Sequence, residues 1–214
     1  MRALGLATLG VLCTLLGSGC ALLSKSDPLT PRYFSAEDTS GGAVEAQPSQ
    51  RSAGNQGDPL RLRLGRIDAG SGLRERIVYR TSPDEVGFYE DRRWTERPED
   101  YLRHALSRAL FERHGFSRAV SGAAPTLQAE LLAFEEVRGD HPGARVTLVF
   151  TLDDEHDTLL EQTLTIERPL APNAGSDRGA AVANAMTAAL HEAVETIAQR
   201  VTVALSDARS KAPQ

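Results

Sequence analysis

The chain has 214 residues and a formal net charge of −5 at pH 7, from 24 Lys and Arg against 29 Asp and Glu. That length suits one domain with flexible ends, and the acidic balance argues against a nucleic-acid partner, which wants a basic face. Both cysteines, Cys13 and Cys20, lie near the N-terminus, so no disulfide framework supports the body and its stability rests on a hydrophobic core.

The chain opens with Arg2 and an uncharged apolar run from Ala3 to Leu23, in which Gly17-Ser18-Gly19 precedes Cys20. One positive charge, an apolar core and small residues before a cut are the parts of an export signal. Three readings compete. The favoured one is a lipoprotein signal, cut before Cys20 and followed by acylation of its thiol. The second is an ordinary signal peptide cut near Gly19. The third is an uncleaved anchor, since a span needs roughly 20 apolar residues. Three poor helix formers in a row weaken that last reading. Gly17 stands where lipoprotein signals usually place Leu, which bears on acylation but not on export. The cut removes Arg2 and leaves 23 basic against 29 acidic residues.

Residues Ala36 to Asp58 are rich in Ser, Gly, Gln, Ala and Glu and cannot bury enough surface to offset their ordering entropy. They read as a mobile loop or tether. Before it, the short island Arg32-Tyr33-Phe34 after Pro31 reads as a brief strand that docks on the domain. Ordered signals begin at Leu60, where Leu60, Leu62 and Leu64 alternate with Arg61 and Arg63 in the period of a half-buried strand. A Gly70-Ser71-Gly72 turn follows, then a strand over Arg76–Arg80, a turn at Thr81–Asp84 and a short strand over Val86–Tyr89.

Pro98, with Glu99 and Asp100 behind it, opens a helix. Leu102, Ala105, Leu106, Ala109 and Leu110 form its apolar stripe, and Gly115 is its stop. Three strands come next. Leu127, Ala129 and Leu131 alternate, and Leu132 and Phe134 then change phase, which predicts a bulge or a twist. Val146, Leu148, Phe150 and Leu152 line one face of the second; Leu160, Leu164 and Ile166 sit at even spacing on the third. The short turns Gly139–Gly143 and Asp153–Asp157 predict antiparallel neighbours. An Ala-rich helix runs from about Arg178 to Leu205, with Val182, Met186, Leu190, Val194, Ile197, Val201 and Leu205 on one face. The expected fold is α+β: a two-layer domain with an antiparallel sheet and two helices on one face. The expected organisation is a signal over 1–19, an anchored tether over 20–58 with a docking strand near 32–35, the domain over 59–206 and a disordered tail over 207–214.

Enzymatic parts are sparse. Asp153-Asp154-Glu155-His156-Asp157 is the best metal candidate, but Asp is a preferred turn residue and the spacing of a calcium loop is missing. His191-Glu192-Ala193-Val194-Glu195 has Glu195 where a zinc-protease helix needs its second His. No G-x-S-x-G elbow or phosphate-binding G-x-x-x-x-G-K-[ST] loop is present. His104 and His114 read as surface residues of the first helix, and His141 as a turn residue. The reading therefore contains no catalytic residue, no metal and no cofactor. Trp94, between Arg92-Arg93 and Glu96, is either an anchor over the start of the first helix or a partner contact, since Trp and Arg are enriched at binding hot spots.

One block is more specific: Arg76-Ile77-Val78-Tyr79-Arg80, then Val86-Gly87-Phe88-Tyr89, then Arg92-Arg93-Trp94-Thr95-Glu96-Arg97-Pro98 and Tyr101-Leu102. It resembles the auxiliary lipoproteins of ABC-type transport systems, the family that partners MCE-type intermembrane lipid transporters in Gram-negative envelopes. The family's "I-V-x-R" falls on Ile77, Val78 and Arg80, its aromatic strand on Phe88 and Tyr89, and its "R-W-x-E-x-P" on Arg93, Trp94, Glu96 and Pro98. Its early aromatic strand falls on Tyr33-Phe34. The resemblance implies no enzyme activity. It implies acylation at Cys20, partner contacts around Arg93, Trp94 and Glu96, an MCE-type or permease subunit as partner, and a role in passing phospholipid between membranes. Ala21, rather than Asp, after the cysteine points to the outer membrane. The alternative is a structural lipoprotein of an outer-membrane assembly with no transport role.

Overall fold

The computed structural model describes residues 29–37, 59–171 and 177–211. The chain divides into Met1–Thr30 and Pro31–Gln214, and every element described belongs to the second unit. The expected leader with Cys20, the polar residues 38–58 and the last three residues lie outside the described residues.

In chain order the elements are β1 (Arg32–Phe34), β2 (Arg61–Ala69), β3 (Arg76–Ser82), β4 (Glu85–Trp94), α1 (Pro98–Ser107) with a π-helical turn over Arg108–Arg113, β5 (Ser117–Arg118), β6 (Thr126–Val137), β7 (Gly143–Asp153), β8 (Thr158–Pro169) and α2 (Arg178–Lys211). The eight strands form one sheet. Both helices pack on the same face: α1 against β2 and β6, α2 against β6, β7 and β8, and the two against each other.

Strand β6 is the spine. One edge pairs with β7 along its whole length, and β7 pairs with β8, both antiparallel. The other edge is shared. Arg63–Ala69 of β2 run parallel to Thr126–Leu131, and Val78–Arg80 of β3 run parallel to Glu135–Val137. The phase change read at Leu132 is a bulge between Leu131 and Ala133, at the point where one partner gives way to the next.

The sheet is mixed, which corrects the expected antiparallel arrangement. Short turns did predict the β3–β4, β6–β7 and β7–β8 hairpins. The turn expected at Gly70-Ser71-Gly72 is present, but it does not join paired antiparallel strands. The Leu73 N–H bonds the Gly70 carbonyl at 2.8 Å and the Gly70 N–H bonds the Leu131 carbonyl at 2.9 Å. The segment is an excursion between two strands running the same way along β6, and Leu73 is buried beneath it. Parallel pairing needs a long crossover, which β4, α1 and the π turn supply. Strands β1 and β4, and β2 and β5, are parallel as well.

The core lies between the sheet and the helices. Val146, Leu148, Phe150 and Leu152 are each no more than 1% exposed, and Val182, Met186, Leu190, Val194, Ile197 and Val201 cover them from α2. Buried Ala189, Ala193 and Ala198 bring that helix close. It also outruns its expected end at Leu205, continuing to Lys211, with Arg209 and Lys211 in the last turn where cations suit the dipole. The first helix buries Leu102, Leu106, Ala109 and Leu110 as its stripe requires. It widens after Ser107, and the His114 N–H reaches the Ala109 carbonyl five residues back at 2.9 Å. Gly115 then takes φ +71°, which ends the helix.

On the β3–β4 hairpin, Tyr79 lies opposite Gly87. A Cβ on Gly87 would stand 2.3 Å from the Tyr79 ring, whereas one on Gly72 would meet open space. Gly87→Ala is expected to lower stability by about 1–3 kcal/mol, the range for overpacking, in urea unfolding. Gly72→Ala should stay within about 0.5 kcal/mol of wild type. Equal midpoints for the two variants would contradict this placement of Tyr79.

Candidate functional site

The residues singled out in the sequence converge where β4 ends and α1 begins. Trp94 is 1% exposed. Its ring meets Tyr101 edge-on at 6.1 Å and lies tilted on Phe134 of β6 at 5.1 Å. Aromatic pairs at these separations add about 0.5–1.5 kcal/mol beyond their area burial. Of the two readings of Trp94, the geometry shows the anchor: the indole joins β4, α1 and β6 and presents no face to solvent. Arg93 is half-buried, and its Nη1 donates to the Tyr89 and Arg92 carbonyls, each at 3.0 Å. Glu96 is partly exposed, 3.4 Å from the His104 ring.

The same junction receives β1. Arg32, Tyr33 and Phe34 stand opposite Arg92, Arg93 and Trp94. The Thr95 N–H donates to the Phe34 carbonyl at 2.9 Å. The Tyr101 hydroxyl lies 2.7 Å from the Thr95 hydroxyl and accepts from the Glu96 N–H at 3.1 Å. On the helix side, the Phe34 ring covers Gly179, where a Cβ would come within 2.6 Å of it. Arg32 donates to both carboxylate oxygens of Asp177, and Asp177 in turn accepts from the Ala180 N–H at 3.2 Å at the start of α2. The Arg32 guanidinium, with that N–H behind it, holds the Asp177 carboxyl at about 2, against an ordinary 3.8.

Beside this junction is a buried charge network. Glu136, fully buried, accepts from Arg178 Nε at 2.8 Å and Nη2 at 2.6 Å, from the Tyr89 hydroxyl, and from Arg138 at 3.4 Å. Arg138 also lies 3.4 Å from the centre of the Tyr79 ring, and Arg92 lies 4.0 Å over Tyr89. Burial, and then the bond to Glu136, push the Tyr89 phenol above its usual range, so it stays protonated and donates. Neighbouring Glu135, also buried, takes Arg80 at 2.7 Å and Arg145 at 3.6 Å. Two adjacent buried carboxylates escape the cost of burying charge because each is matched by arginines.

The opposite face of the junction is open. Successive residues of a strand point to opposite sides, so Tyr33 faces away from α2 while Arg32 and Phe34 face it. Tyr33 is 63% exposed and stands opposite Arg93, which stands opposite Arg76; Arg76 lies over Phe88, itself 41% exposed, at 5.4 Å. A band of aromatics and arginines results. Sequence reasoning saw its members but not their common face, because the band crosses three strands. A second surface feature is a groove of about 610 Å³ between β8 and the end of α2, lined by Leu159, Leu160, Val203 and Ala204 with Arg200 and Lys211 at its rim.

The other candidates are accounted for by local bonds. Asp154 accepts from the His156 and Asp157 N–H groups at 2.8 Å each, closing the β7–β8 turn. Glu195 pairs with Arg113 and His114, and Glu192 with Arg168, so His114 is a surface residue, as expected, and is paired with α2. Among the described residues, no helix is long and apolar enough to cross a membrane.

A mixed sheet with helices on one face, an N-terminal strand clipped to its edge and an ion-pair network beside that junction define an α+β domain. The chain belongs to the ABC-type transport auxiliary lipoprotein component family, whose model matches residues 43–198. Membership makes it an auxiliary lipoprotein associated with ABC-type transport, in the cell envelope. Its fold is similar to that of a Xanthomonas campestris protein of the DUF330 family, at 23% identity and TM-score 0.62 over 75% of this chain and 93% of that one. An uncharacterized protein of solved structure is similar at 14% identity and TM-score 0.60, over 80% of this chain and 99% of its own. No curated protein matches the sequence.

Two predictions follow from the junction and its network. Asp177 titrates lower folded than unfolded, so its contribution is complete above pH 4 and is lost as pH falls from about 4 towards 2. Acid unfolding of wild type should show that loss, and Arg32→Gln should flatten it; identical acid limbs would contradict the pair. Glu136→Ala should destabilise by about 3 kcal/mol, as expected for breaking a buried pair. Glu167→Ala, which removes the exposed partner of Arg145, should cost under about 1 kcal/mol; urea unfolding compares them.

Proposed function

We propose that the chain is a non-catalytic, lipid-anchored accessory subunit of an MCE-associated intermembrane lipid transport system. Acylation of Cys20 holds it to the membrane, and Ala21 favours the outer membrane, with the domain facing the periplasm. Each buried CH₂ of an acyl chain adds about 0.8 kcal/mol of membrane affinity, so several chains on one cysteine give stable attachment.

The observation that carries the reading is the band of exposed Tyr33, Arg76 and Phe88 with half-buried Arg93 between them. Aromatics and arginine are the residues enriched at interface centres. The band extends the expected contact stretch: with Trp94 buried, contact falls to Arg93 and Glu96, joined by Tyr33 and Phe88. The occupant is a permease or MCE-type subunit, and the phospholipid is the cargo of the assembly. Because β1 contributes Tyr33, the segment nearest the anchor forms part of the docking face. A partner seated there binds the domain and its tether together.

Intact mass of the membrane-extracted protein should show a chain beginning at an acylated Cys20, and Cys20→Ala should lose the lipid; a mass retaining Met1 to Gly19 would overturn the anchoring. Extraction in mild detergent should recover a transporter subunit with the wild type. Phe88→Ala and Tyr33→Ala should each weaken that association about tenfold, equivalent to about 1.4 kcal/mol. Recovery of no transporter subunit would contradict the transport role, and undiminished recovery by both variants would remove the band as its contact.

A further inference from the structure

We propose that Glu37, Glu96 and His104 form a divalent first-row metal site, best suited to Zn²⁺, that ties the end of the docked N-terminal segment to the start of α1. The three side chains come from the residues after β1, the approach to α1 and the second turn of α1, and one ligand atom from each lies within 4.8 Å of the others.

Three features separate this group from an ordinary ion pair. First, Glu96 Oε2 is shielded from solvent yet has no hydrogen-bond partner, although His104 Nδ1 is 3.4 Å away. The two atoms lie at ion-pair distance and without a hydrogen bond between them. Second, the separation fits. Zinc bonds to nitrogen and oxygen of about 2.0–2.2 Å at tetrahedral angles put neighbouring donors about 3.3–3.5 Å apart. Glu37 is exposed, so its carboxylate is free to close the remaining ångström or so. Third, the pair opens on a cleft of about 390 Å³ lined also by Asp100. Asp100 and His104 are four residues apart on α1 and share its face, and Arg97 lines the same cleft.

The donor set selects the metal. Imidazole with carboxylates suits zinc, copper, nickel or iron, whereas Ca²⁺ and Mg²⁺ take all-oxygen shells. No sequence motif announces the site, because Glu37 is brought to Glu96 and His104 only by the parallel pairing of β1 with β4. Bound metal would add a link between the tether and the domain just beyond the β1 ladder. The site shares Glu96 with the proposed contact stretch, but metal binding and partner recovery are read separately, and either can fail without the other.

Its test is direct. The membrane-extracted protein, stripped with a chelator and titrated with ZnCl₂ against a chromophoric competitor, should bind one equivalent, and Zn²⁺ should raise its unfolding temperature. His104→Ala and Glu96→Gln should each weaken binding at least tenfold, while His156→Ala, in the β7–β8 turn, should leave it unchanged. Glu37→Gln, at an exposed position where misfolding is no explanation, should weaken it as well. Excess CaCl₂ should not compete. Absence of Zn²⁺ binding by the wild type, or undiminished binding by His104→Ala and Glu96→Gln, would overturn the site.

Discussion

The Trp94 indole, closed between Tyr101 and Phe134, is the contact on which the docking of β1 and the junction around it depend. It fixes the end of β4 against the start of α1 and against the second half of β6 in one packing event. That position leaves the Tyr101 hydroxyl among Thr95, Glu96 and the Phe34 carbonyl. A ring buried for hydrophobic reasons thereby places a polar atom that holds the backbone at the end of a parallel strand. Every contact between β1 and the body builds on this: the ladder to β4, the Phe34 ring over Gly179 and the Arg32–Asp177 pair that reaches the start of α2.

The charge network follows from the same geometry. At the end of β6 the helix-facing line Leu127, Ala129, Leu131 and Phe134 runs out and Glu136 takes its place. A carboxylate there is tolerable only if arginines and a hydroxyl meet it, and Arg178, Arg138 and Tyr89 arrive from α2, the end of β6 and β4. Removing one partner from such a set leaves a buried charge, so the network discriminates against other registers of β4 on β3. Gly87 supports that register, since the Tyr79 ring lies across it.

Much of this was readable from residue order, and the failures have a common cause. The helix stripes, the β7 alternation, the bulge after Leu131 and the three hairpins are local patterns, set by side-chain period and turn length. The parallel pairings are not local. Leu60–Leu64 announce a strand, but nothing near them says that their partner is some 65 residues on, or that β2 and β3 lie end to end along one edge of β6. The π turn at Arg108–Arg113 also escaped, because its stripe is the same as that of an α-helix for two turns. The block from Arg76 to Leu102 was recognisable as a family feature, and the structure gives its physical content. Trp94 and Tyr101 are the wedge, Gly87 is the seat of Tyr79, and Pro98 starts the helix. Phe88 is left exposed, and Arg93 is half-buried. Exposure of that kind depends on which side of a strand a residue falls, and the register shift between Arg76 and Val78 made that unreadable.

The claim that most needs testing is that residues 32–34 dock in parallel on β4, because the open aromatic band and the metal site both require it. The Thr95 amide reports on it alone, since its hydrogen bond goes to the Phe34 carbonyl. Hydrogen–deuterium exchange on the membrane-extracted protein reads it directly. Protection of Thr95 well above that of an exposed loop amide, lost in Trp94→Ala while the β7 amides stay protected, is the expected result. Exchange of Thr95 in wild type at the rate of an unstructured peptide would show that β1 is not docked and would contradict the account at its base.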